Sequence, residues 1–408
     1  MLVFAAGLGG CGLFQSRPLV LCTDRAEIAS FVEHFNALQN DLRVVVRYRD
    51  KPAEVLRRGE GIDLVVGAYL AGVAEARALE PLDDLFRAGR LERSSFYAPV
   101  LTTGAPERRQ VALPLSFCLP AVVFLPYSLR ETVPSLSISL EYLREHGAQY
   151  DQSVRDALVR QGFSPLWEPS CLYLAAELGG ARFHEVGSGI LDWDAKALEG
   201  AVAALRDWVA GSGFQRETVF AAKYLYLSPS RLLDEKRIQF YLLPSCQLLR
   251  ALDEQKEEAD FRWLSGQQAG QERIFVADDI LYAGVPRSSG RRQQAKRFLL
   301  WLFQEETQKE LLEIGRRKRL GTFGIAGGFS SLKAVNEREF PQIYPRLIGR
   351  IPPEELLYTA GPLPENWGEV KSQVLIPWLR EAVTSLTPPA EADLAARLRA
   401  SRLGRPRR

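Results

Sequence analysis

The feature that most constrains the fold is an alternation of short apolar runs with segments of helical periodicity. Residues 19–22, 44–46 and 63–66 are runs of strand length that are apolar apart from Asp63. Between them, apolar residues from 28 to 38 recur at helical spacing, and residues 53–58 also fit a helix. Strands that alternate with helices favour a parallel sheet covered by helices. The sequence therefore predicts an α/β protein.

The length of the chain indicates more than one folding unit. Its 408 residues exceed the usual size of a single hydrophobic core, so two domains are expected. A formal net charge of +2 argues against a dedicated nucleic-acid-binding protein. Beyond residue 12, no apolar run approaches the roughly 18–20 residues that span a bilayer.

The first residues resemble a bacterial lipoprotein signal. Residues 8–10 (Leu-Gly-Gly) precede Cys11 at the end of a short apolar run. This pattern predicts cleavage, lipidation of Cys11 and a tether on the extracytoplasmic side of a membrane. No Lys or Arg precedes the run, which leaves two alternatives open: a start upstream of Met1, or an unprocessed and buried N-terminus.

The same segment also has the glycine spacing of a dinucleotide-binding turn, at Gly7, Gly9 and Gly12. That motif needs a strand before it and a crossover helix directly after it. Pro18 follows so soon that no helix fits. The dinucleotide-binding interpretation is therefore rejected.

Besides Cys11, the chain has Cys22, Cys118, Cys171 and Cys246, with no C-x-x-C pattern. Each lies among apolar residues, which favours buried free thiols; pairing in an exported protein is the alternative. The three histidines lack the spacing of metal ligands. Neither a metal site nor a cofactor is expected.

Several segments, taken in order, are similar to those of a known family. They are residues 81–85 (Pro-Leu-Asp-Asp-Leu), 111–116 (Val-Ala-Leu-Pro-Leu-Ser), 281–286 (Leu-Tyr-Ala-Gly-Val-Pro) and 364–367 (Pro-Glu-Asn-Trp). Their order across residues 18–397 resembles the extracellular solute-binding proteins of ABC importers, the branch that includes maltose-binding protein.

The resemblance implies a two-lobe periplasmic-binding-protein fold of type II, each lobe a mainly parallel sheet flanked by helices. It implies a monomer that captures a sugar or oligosaccharide by hinge closure, near residues 119–124 and 261–275, and delivers it to a membrane permease without catalysis. The expected division is a signal and tether (1–17), a first lobe (18–120 and 277–323), a second lobe (121–276 and 324–396) and a basic tail (397–408).

Ligand contacts are expected at strand ends and helix starts that face the cleft. The candidates are Thr23, Asp24, Tyr69, Ser116, Phe117, Trp167, Glu168, Tyr173, Ser245, Gln247 and Trp367. Trp167 beside Glu168 offers a sugar an aromatic face and a carboxylate, and the resemblance implies stacking by Trp367. Core packing is the alternative for several of these aromatic residues. Asp24 has the alternative role of capping the following helix, with Glu27 completing a capping box.

Two positions depart from the pattern of sugar-binding relatives. An aromatic residue often follows the third strand, where this chain has Gly67, and another is often found where this chain has residues 245–247 (Ser-Cys-Gln). The identity and the class of the ligand therefore stay open.

Other function classes have weaker support. Residues 83–84 and 278–279 are pairs of aspartates, interpreted as turn and cap residues because adjacent side chains diverge. Ser330 and Lys333 have a Ser-x-x-Lys spacing that is common by chance. A ligand-sensing module for a membrane signalling partner and an extracellular glycan-active enzyme are the alternatives to a transport protein.

The C-terminal region carries two further predictions. A helix over residues 367–383 contains Pro377, which should kink or divide it. The tail from Arg397 onward has six arginines and is predicted to be a disordered surface segment, with contact to anionic lipid as the alternative.

Overall fold

The computed structural model describes residues 17–400, except 88, 130–132, 188, 257 and 269. The predicted lipoprotein signal, Cys11 included, lies outside the described residues. Within them, no helix has both the length and the apolar character needed to cross a membrane.

Strands and helices alternate along the described chain. The strands are β1 (Leu19–Thr23), β2 (Val44–Tyr48), β3 (Leu64–Ala68), β4 (Ala112–Phe117), β5 (Pro120–Phe124), β6 (Ser137–Ser139), β7 (Gln152–Val154), β8 (Ala157–Arg160), β9 (His184–Gly187), β10 (Ile190–Asp192), β11 (Phe240–Pro244), β12 (Asp260–Gln268), β13 (Gln271–Val276), β14 (Leu281–Gly284), β15 (Phe329–Ser330) and β16 (Leu357–Thr359). The helices are α1 (Ile28–Leu38), α2 (Pro52–Arg58), α3 (Val73–Ala78), α4 (Ala98–Thr103), α5 (Leu140–Tyr150), α6 (Pro169–Leu178), α7 (Ala195–Ser212), α8 (Phe214–Tyr224), α9 (Pro229–Asp234), α10 (Ser245–Asp253), α11 (Arg292–Leu302), α12 (Glu305–Lys318), α13 (Phe340–Ile343), α14 (Trp367–Val370), α15 (Ile376–Thr384) and α16 (Glu391–Ala400).

Two six-stranded sheets form the centres of two lobes, as predicted. The first has the order β15-β4-β14-β3-β1-β2, and the second has β11-β5-β12-β13-β16 with β6 beside β12. Strands β1, β2 and β3 run parallel, joined by α1 and α2 as the alternating pattern predicts. The two-lobe α/β architecture is therefore confirmed.

The prediction of mainly parallel sheets holds for the first sheet, where β1 to β4 run in one direction, but is wrong for the second sheet, which is mixed. Strand β14 runs antiparallel to both β3 and β4, and β5 runs antiparallel to both β11 and β12. The reason is the path of the chain. Strand β4 leads out of the first lobe and β14 returns to it, so the two enter the sheet from opposite ends.

The chain passes between the lobes from β4 to β5, from β13 to β14, and from β15 to β16. Strand β15 pairs with β4, so Phe329–Ser330 lies in the first sheet, although residues from 324 onward were expected in the second lobe. Residues 261–275 belong largely to β12 and β13, and the second crossing follows Val276 rather than lying within that range.

Local sequence signals had mixed outcomes. Asp194 caps α7 as its position suggests, accepting a bond from the Ala197 amide at 2.9 Å. A π-helical turn over Lys371–Leu375 separates α14 from α15, so the helix is divided just before Pro377. Asp24 does not cap α1, because that helix begins later, at Ile28, with no side-chain cap.

The cores form where the strands are covered on both faces. Leu64, Val65 and Val66 of β3 have no solvent exposure, which is typical of a central parallel strand. Each buried side chain of this size contributes about 1.5–3 kcal/mol to folding. In the second lobe, Trp367 and Tyr173 lie in a separate core cluster beneath β5, β12 and β13.

Among the described cysteines, all of which are free thiols, Cys22 and Cys171 are buried as expected. Cys246 is exposed, so the buried-thiol interpretation is wrong for it. In the same part of the chain, no group of His, Cys, Asp and Glu residues is arranged to hold a metal ion.

The predicted basic tail begins within a helix. Arg397 lies in α16 and its guanidinium pairs with Asp393, one helical turn earlier, at 2.7 Å. The prediction of disorder is therefore wrong for residues 397–400. The remaining residues of the tail lie outside the described part of the chain.

Candidate binding cleft

An open cleft of about 550 Å³ lies between the lobes, beside the crossing segments. This volume is within the range of small-molecule sites, roughly 300–1,000 Å³. The start of α6, strand β11 and the segment after β13 form most of its wall. The polar residues that line it are Tyr69, Glu168, Ser170, Tyr173, Ser228, Ser230, Tyr241, Gln247, Glu254, Asp278, Asp279 and Lys371.

Asp278 is a buried carboxylate at one end of the cleft, two residues after β13. Its side chain is only 4% exposed, and Lys371 Nζ lies 2.7 and 2.8 Å from its two oxygens. Trp367 Nε1 donates to Asp278 Oδ2 at 2.5 Å. Burying a charge is costly unless it is paired and hydrogen-bonded. Lys371 and Trp367 therefore hold Asp278 in one position.

Asp279 is an exposed carboxylate on the wall of the same cleft. The protein atoms of the cleft wall partly desolvate this carboxylate and so raise its pKa above the usual value, and the neighbouring Asp278 carboxylate raises it further. Lys371 and Arg25 oppose this shift through their charges. A carboxylate in this setting gains from a ligand that donates hydrogen bonds to it.

The first lobe contributes Tyr69, which directly follows β3. Its φ of +57° lies in the left-handed region, which costs a residue other than glycine about 1–2 kcal/mol. Burial raises the pKa of the Tyr69 hydroxyl well above its ordinary value, and the negative charge of Asp278 raises it further. Gly67 lies within β3, where an added Cβ would come within 3.1 Å of Pro52. The aromatic ring at this strand end is thus two residues later than in the family pattern.

Tyr173 lines the cleft but is only 2% exposed. Its ring packs edge-on against Phe275 and Trp367, with ring centroids 6.0 Å apart in both cases. Lys371 Nζ lies 5.0 Å from the centre of the same ring. Burial, and then the Asp278 carboxylate, raise the pKa of the Tyr173 hydroxyl well above its usual range.

Sequence reasoning missed several cleft residues. The Asp278–Asp279 pair was interpreted as turn and cap residues, but both carboxylates line the cleft. Lys371 and Tyr241 were not singled out, and Tyr241 contributes a buried hydroxyl with no hydrogen-bond partner among the described residues. Two adjacent aspartates after a buried strand were the available signal, since ligands often bind at strand ends.

Of the predicted site residues, four line the cleft: Tyr69, Glu168, Tyr173 and Gln247. Glu168 also caps α6, since its Oε1 accepts a bond from the Ser170 amide at 3.4 Å. Gln247 is exposed in the first turn of α10. Contact between these side chains and a ligand stays a prediction.

The candidates at the ends of β1 and β4 do not line the cleft. Thr23 is fully buried, and its Oγ1 accepts a bond from the Arg25 amide at 3.1 Å. Asp24 has a buried Oδ1 without a hydrogen-bond partner among the described residues. Ser116 is buried in β4, and Phe117 packs against the rings of Tyr97 and Phe329. For Phe117, core packing is the correct interpretation.

The two predicted stacking tryptophans are packed within the protein. Trp367 has no exposed surface, so it cannot present a face to a ligand in this conformation. Trp167 stacks on Phe220, with ring centroids 5.9 Å apart, and does not line the cleft.

Ser245 is fully buried and holds the first crossing rather than a ligand. Its Oγ accepts a bond from the Leu119 amide at 3.1 Å, and its own amide donates to Leu119 O at 2.8 Å. The start of α10 is thereby fastened to the segment that joins the lobes.

Comparison with known proteins supports this architecture. No family model matches the sequence, and the search of curated proteins found no match. Among solved structures, CpMnBP1 with mannotriose bound is similar over 96% of this chain and 100% of its own, with a TM-score of 0.61 and 14% identity. The cyclic α-maltosyl-1,6-maltose binding protein from Arthrobacter globiformis covers 94% of this chain and 97% of its own, with a TM-score of 0.63 and 12% identity.

An ABC substrate-binding protein from Listeria monocytogenes, in complex with cycloalternan, is also similar. It covers 94% of this chain and 97% of its own, with a TM-score of 0.62 and 13% identity. All of these similarities extend over nearly the whole length of both chains. The protein therefore has the two-lobe fold of these sugar-binding substrate-binding proteins.

Proposed function

We propose that this protein is the substrate-binding component of an ABC importer, and that it captures a sugar or oligosaccharide. The observation that supports this most is the cleft itself: it lies between the lobes and is lined by tyrosines and carboxylates. The three similar structures described above are of proteins with carbohydrate names or ligands.

The residues of the cleft suit a carbohydrate. Tyrosine rings cover the C–H faces of a sugar, and carboxylates accept hydrogen bonds from its hydroxyls. Asp278 is fixed by Lys371, and Asp279 and Glu168 present further acceptors from the same wall. These groups need not change protonation state to bind a neutral polyol.

Capture proceeds by hinge closure about the crossing segments, bringing Tyr69 of the first lobe toward the second-lobe wall. The lobes already meet through Arg57 and Glu365, whose charged groups are 2.5 Å apart, and through Lys51 and Glu369. Affinity near micromolar, about −8 kcal/mol, would suffice for capture while still allowing release to a permease.

The remaining parts of the proposal concern location and assembly. Lipidation of Cys11 would hold a monomer on the extracytoplasmic side of the membrane, close to its permease. Binding without turnover is favoured over catalysis because the similar structures include a maltosyl-maltose binding protein and an ABC substrate-binding protein.

A thermal-shift screen tests the proposal directly. Mannobiose, mannotriose, maltose and cycloalternan are compared with amino acids as controls. A ligand present at 100 times its dissociation constant stabilises the native state by about 2.7 kcal/mol, which raises the Tm. A saturable shift with one sugar class, and recovery of that sugar unaltered, is expected. A shift with amino acids alone, or with no sugar, contradicts the carbohydrate proposal.

Substitution of Tyr69 with alanine tests whether the ligand binds in the cleft or elsewhere on the surface. Loss of one aromatic contact is expected to weaken sugar binding about tenfold, equivalent to about 1.4 kcal/mol. Tyr127→Ala is the matched control, because Tyr127 is 55% exposed in a turn just after β5 and away from the cleft. Equal effects of the two substitutions would place the ligand elsewhere.

A further inference from the structure

Two cysteines from different lobes meet at the first crossing. Cys118 directly follows β4 of the first sheet, and Cys246 lies in the first turn of α10 in the second lobe. Leu119, which follows Cys118, and Ser245, which precedes Cys246, are joined by two hydrogen bonds. Ser245 N donates to Leu119 O at 2.8 Å, and Leu119 N donates to Ser245 Oγ at 3.1 Å. These bonds continue the antiparallel pairing that ends at Pro120 and Pro244.

The thiols of Cys118 and Cys246 lie close enough to influence each other. A hydrogen bond between the thiols raises the pKa of Cys118 and lowers the pKa of Cys246. The position of Cys246 in the first turn of a nine-residue helix also favours its thiolate. Cys246 is exposed to solvent, so reagents can reach it, whereas Cys118 is partly covered and its Sγ also lies 3.3 Å from Gly327 O.

We propose that Cys118 and Cys246 are a redox-active pair, which low-molecular-weight disulfides oxidise to a disulfide bond across the hinge. Each cysteine lies one residue from the Leu119–Ser245 pair, which two hydrogen bonds hold together, and a disulfide joins residues whose Cα atoms are about 4.4–6.8 Å apart. The bond would tie the end of β4 to the start of α10. It joins the first lobe to the second at the segment about which they rotate.

The exchange balances without any further reactant. The Cys246 thiolate attacks one sulfur of a disulfide RSSR, forming a mixed disulfide and releasing one RS⁻. Cys118 then loses its proton, and its thiolate attacks the Cys246 sulfur and releases the second RS⁻. The protein loses two electrons and two protons in total, and RSSR becomes two RSH.

Incubation of the full chain with glutathione disulfide, followed by peptide mass spectrometry without reduction, tests the proposal. The expected product is a peptide that links Cys118 to Cys246, with the loss of two reactive thiols and their return on reduction. In Cys118→Ser, the glutathione mixed disulfide on Cys246 should accumulate; in Cys246→Ser, neither product should form at the hinge.

Cys171→Ser is the control, since Cys171 is buried away from the crossing and its loss should leave the linked peptide unchanged. Absence of the linked peptide in a folded protein, or linkage of Cys246 to another cysteine, overturns the proposal. These readouts need no ligand, so they succeed or fail independently of the carbohydrate proposal.

A consequence for binding rests on the proposed function. If the hinge disulfide restricts rotation of the lobes, the oxidised protein should bind and release a sugar identified by the thermal-shift screen more slowly than the reduced protein. Stopped-flow fluorescence measures both rates. The Cys118→Ser protein cannot form the hinge disulfide, so its rates should show no such difference between samples treated with glutathione disulfide and reduced samples. Identical rates in the oxidised and reduced forms would contradict control of the hinge.

Discussion

The two lobes contribute very differently to the cleft. The second lobe and its crossing provide Glu168, Tyr173, Gln247 and the Asp278–Lys371 pair, whereas Tyr69 is the first-lobe side chain in the lining. In the first lobe, the strand ends where contacts were expected instead carry buried side chains such as Thr23. Under the proposed function, we expect the second lobe to make most of the contacts with the ligand and the first lobe to cover it.

The lobes also differ in how they hold a buried carboxylate. Glu177 of the second lobe is fully buried, and its Oε1 accepts a bond from the Phe183 amide at 3.0 Å. Glu75 of the first lobe is 1% exposed, with Arg57 Nε at 3.4 Å and one oxygen without a hydrogen-bond partner among the described residues. Burial raises the pKa of Glu177 to about 8 and that of Glu75 to about 7.

The largest effect is expected from breaking the ion pair in the second-lobe wall. Lys371→Met leaves Asp278 buried without its cation and should lower the free energy of unfolding by about 3–5 kcal/mol. Urea denaturation measures this loss. The control is Lys318→Met in the first lobe, whose partner Glu33 is 72% exposed, with an expected effect below about 1 kcal/mol. Similar losses for both variants would contradict the expectation that the buried pair in the second lobe contributes more to stability than the exposed pair in the first lobe.

The next effect is a dependence of stability on pH. A carboxyl group whose pKa is raised on folding binds its proton more tightly in the native state, so stability falls as pH rises from the unfolded pKa to the folded one. For Glu177 this window is about pH 4.5 to 8, and for Glu75 about pH 4.5 to 7. From pH 5 upward, the parts of these windows that remain are about three and two pH units, so the losses amount to roughly 4 and 3 kcal/mol respectively, at 1.36 kcal/mol per unit.

Urea denaturation between pH 5 and 8 separates the two groups. Glu177→Gln should remove the larger part of the decline and Glu75→Gln the smaller part, because glutamine does not ionise. If neither substitution changes the slope, the buried carboxyl groups are not its source. A larger change for Glu75→Gln would mean that the buried carboxyl group of the first lobe, not that of the second, contributes most to the pH dependence.

A smaller effect is expected at the rim of the second-lobe wall. Gln247→Ala removes one hydrogen-bonding side chain from the cleft and should weaken sugar binding about three- to tenfold, from the 0.5–1.5 kcal/mol of a single bond. Isothermal titration calorimetry measures this change. Gln342→Ala, at an exposed position of α13, is the control and should leave affinity unchanged.

The smallest effect concerns a contact between the lobes. Lys51 is 56% exposed and pairs with Glu369, so Lys51→Ala should change stability by less than about 1 kcal/mol. Small-angle X-ray scattering should still show a larger radius of gyration without ligand, since a contact that favours closure is gone. A large loss of stability would mean that this exposed pair does more than connect the lobes.

Much of the fold could be predicted because its signals are local. Strands β1 to β3 and the helices between them follow from short apolar runs and helical spacing, and Pro377 correctly indicated a break after α14. The ordered family-like segments predicted the two lobes. The antiparallel directions of β5 and β14 were not predicted, because they depend on where the chain crosses between the lobes.

The cleft was predictable only in part. Tyr69 and Gln247 follow directly from positions at a strand end and a helix start, and both line the cleft. Trp367 resembled a stacking residue in sequence, but its ring is buried and its Nε1 donates to Asp278, 89 positions away. No local pattern distinguishes an exposed tryptophan at a helix start from a buried one.

By itself, the sequence determined the alternating elements, the two-lobe architecture and the five cysteines that could carry thiol chemistry. The tertiary structure alone decided that Asp278 meets Lys371, 93 positions apart, and that Cys118 meets Cys246. The physical reason is that hydrophobic periodicity acts over a few residues, whereas charge pairing and thiol contact depend on how distant strands and helices pack. Residues far apart in the chain acquire a shared chemistry only when that packing places them together.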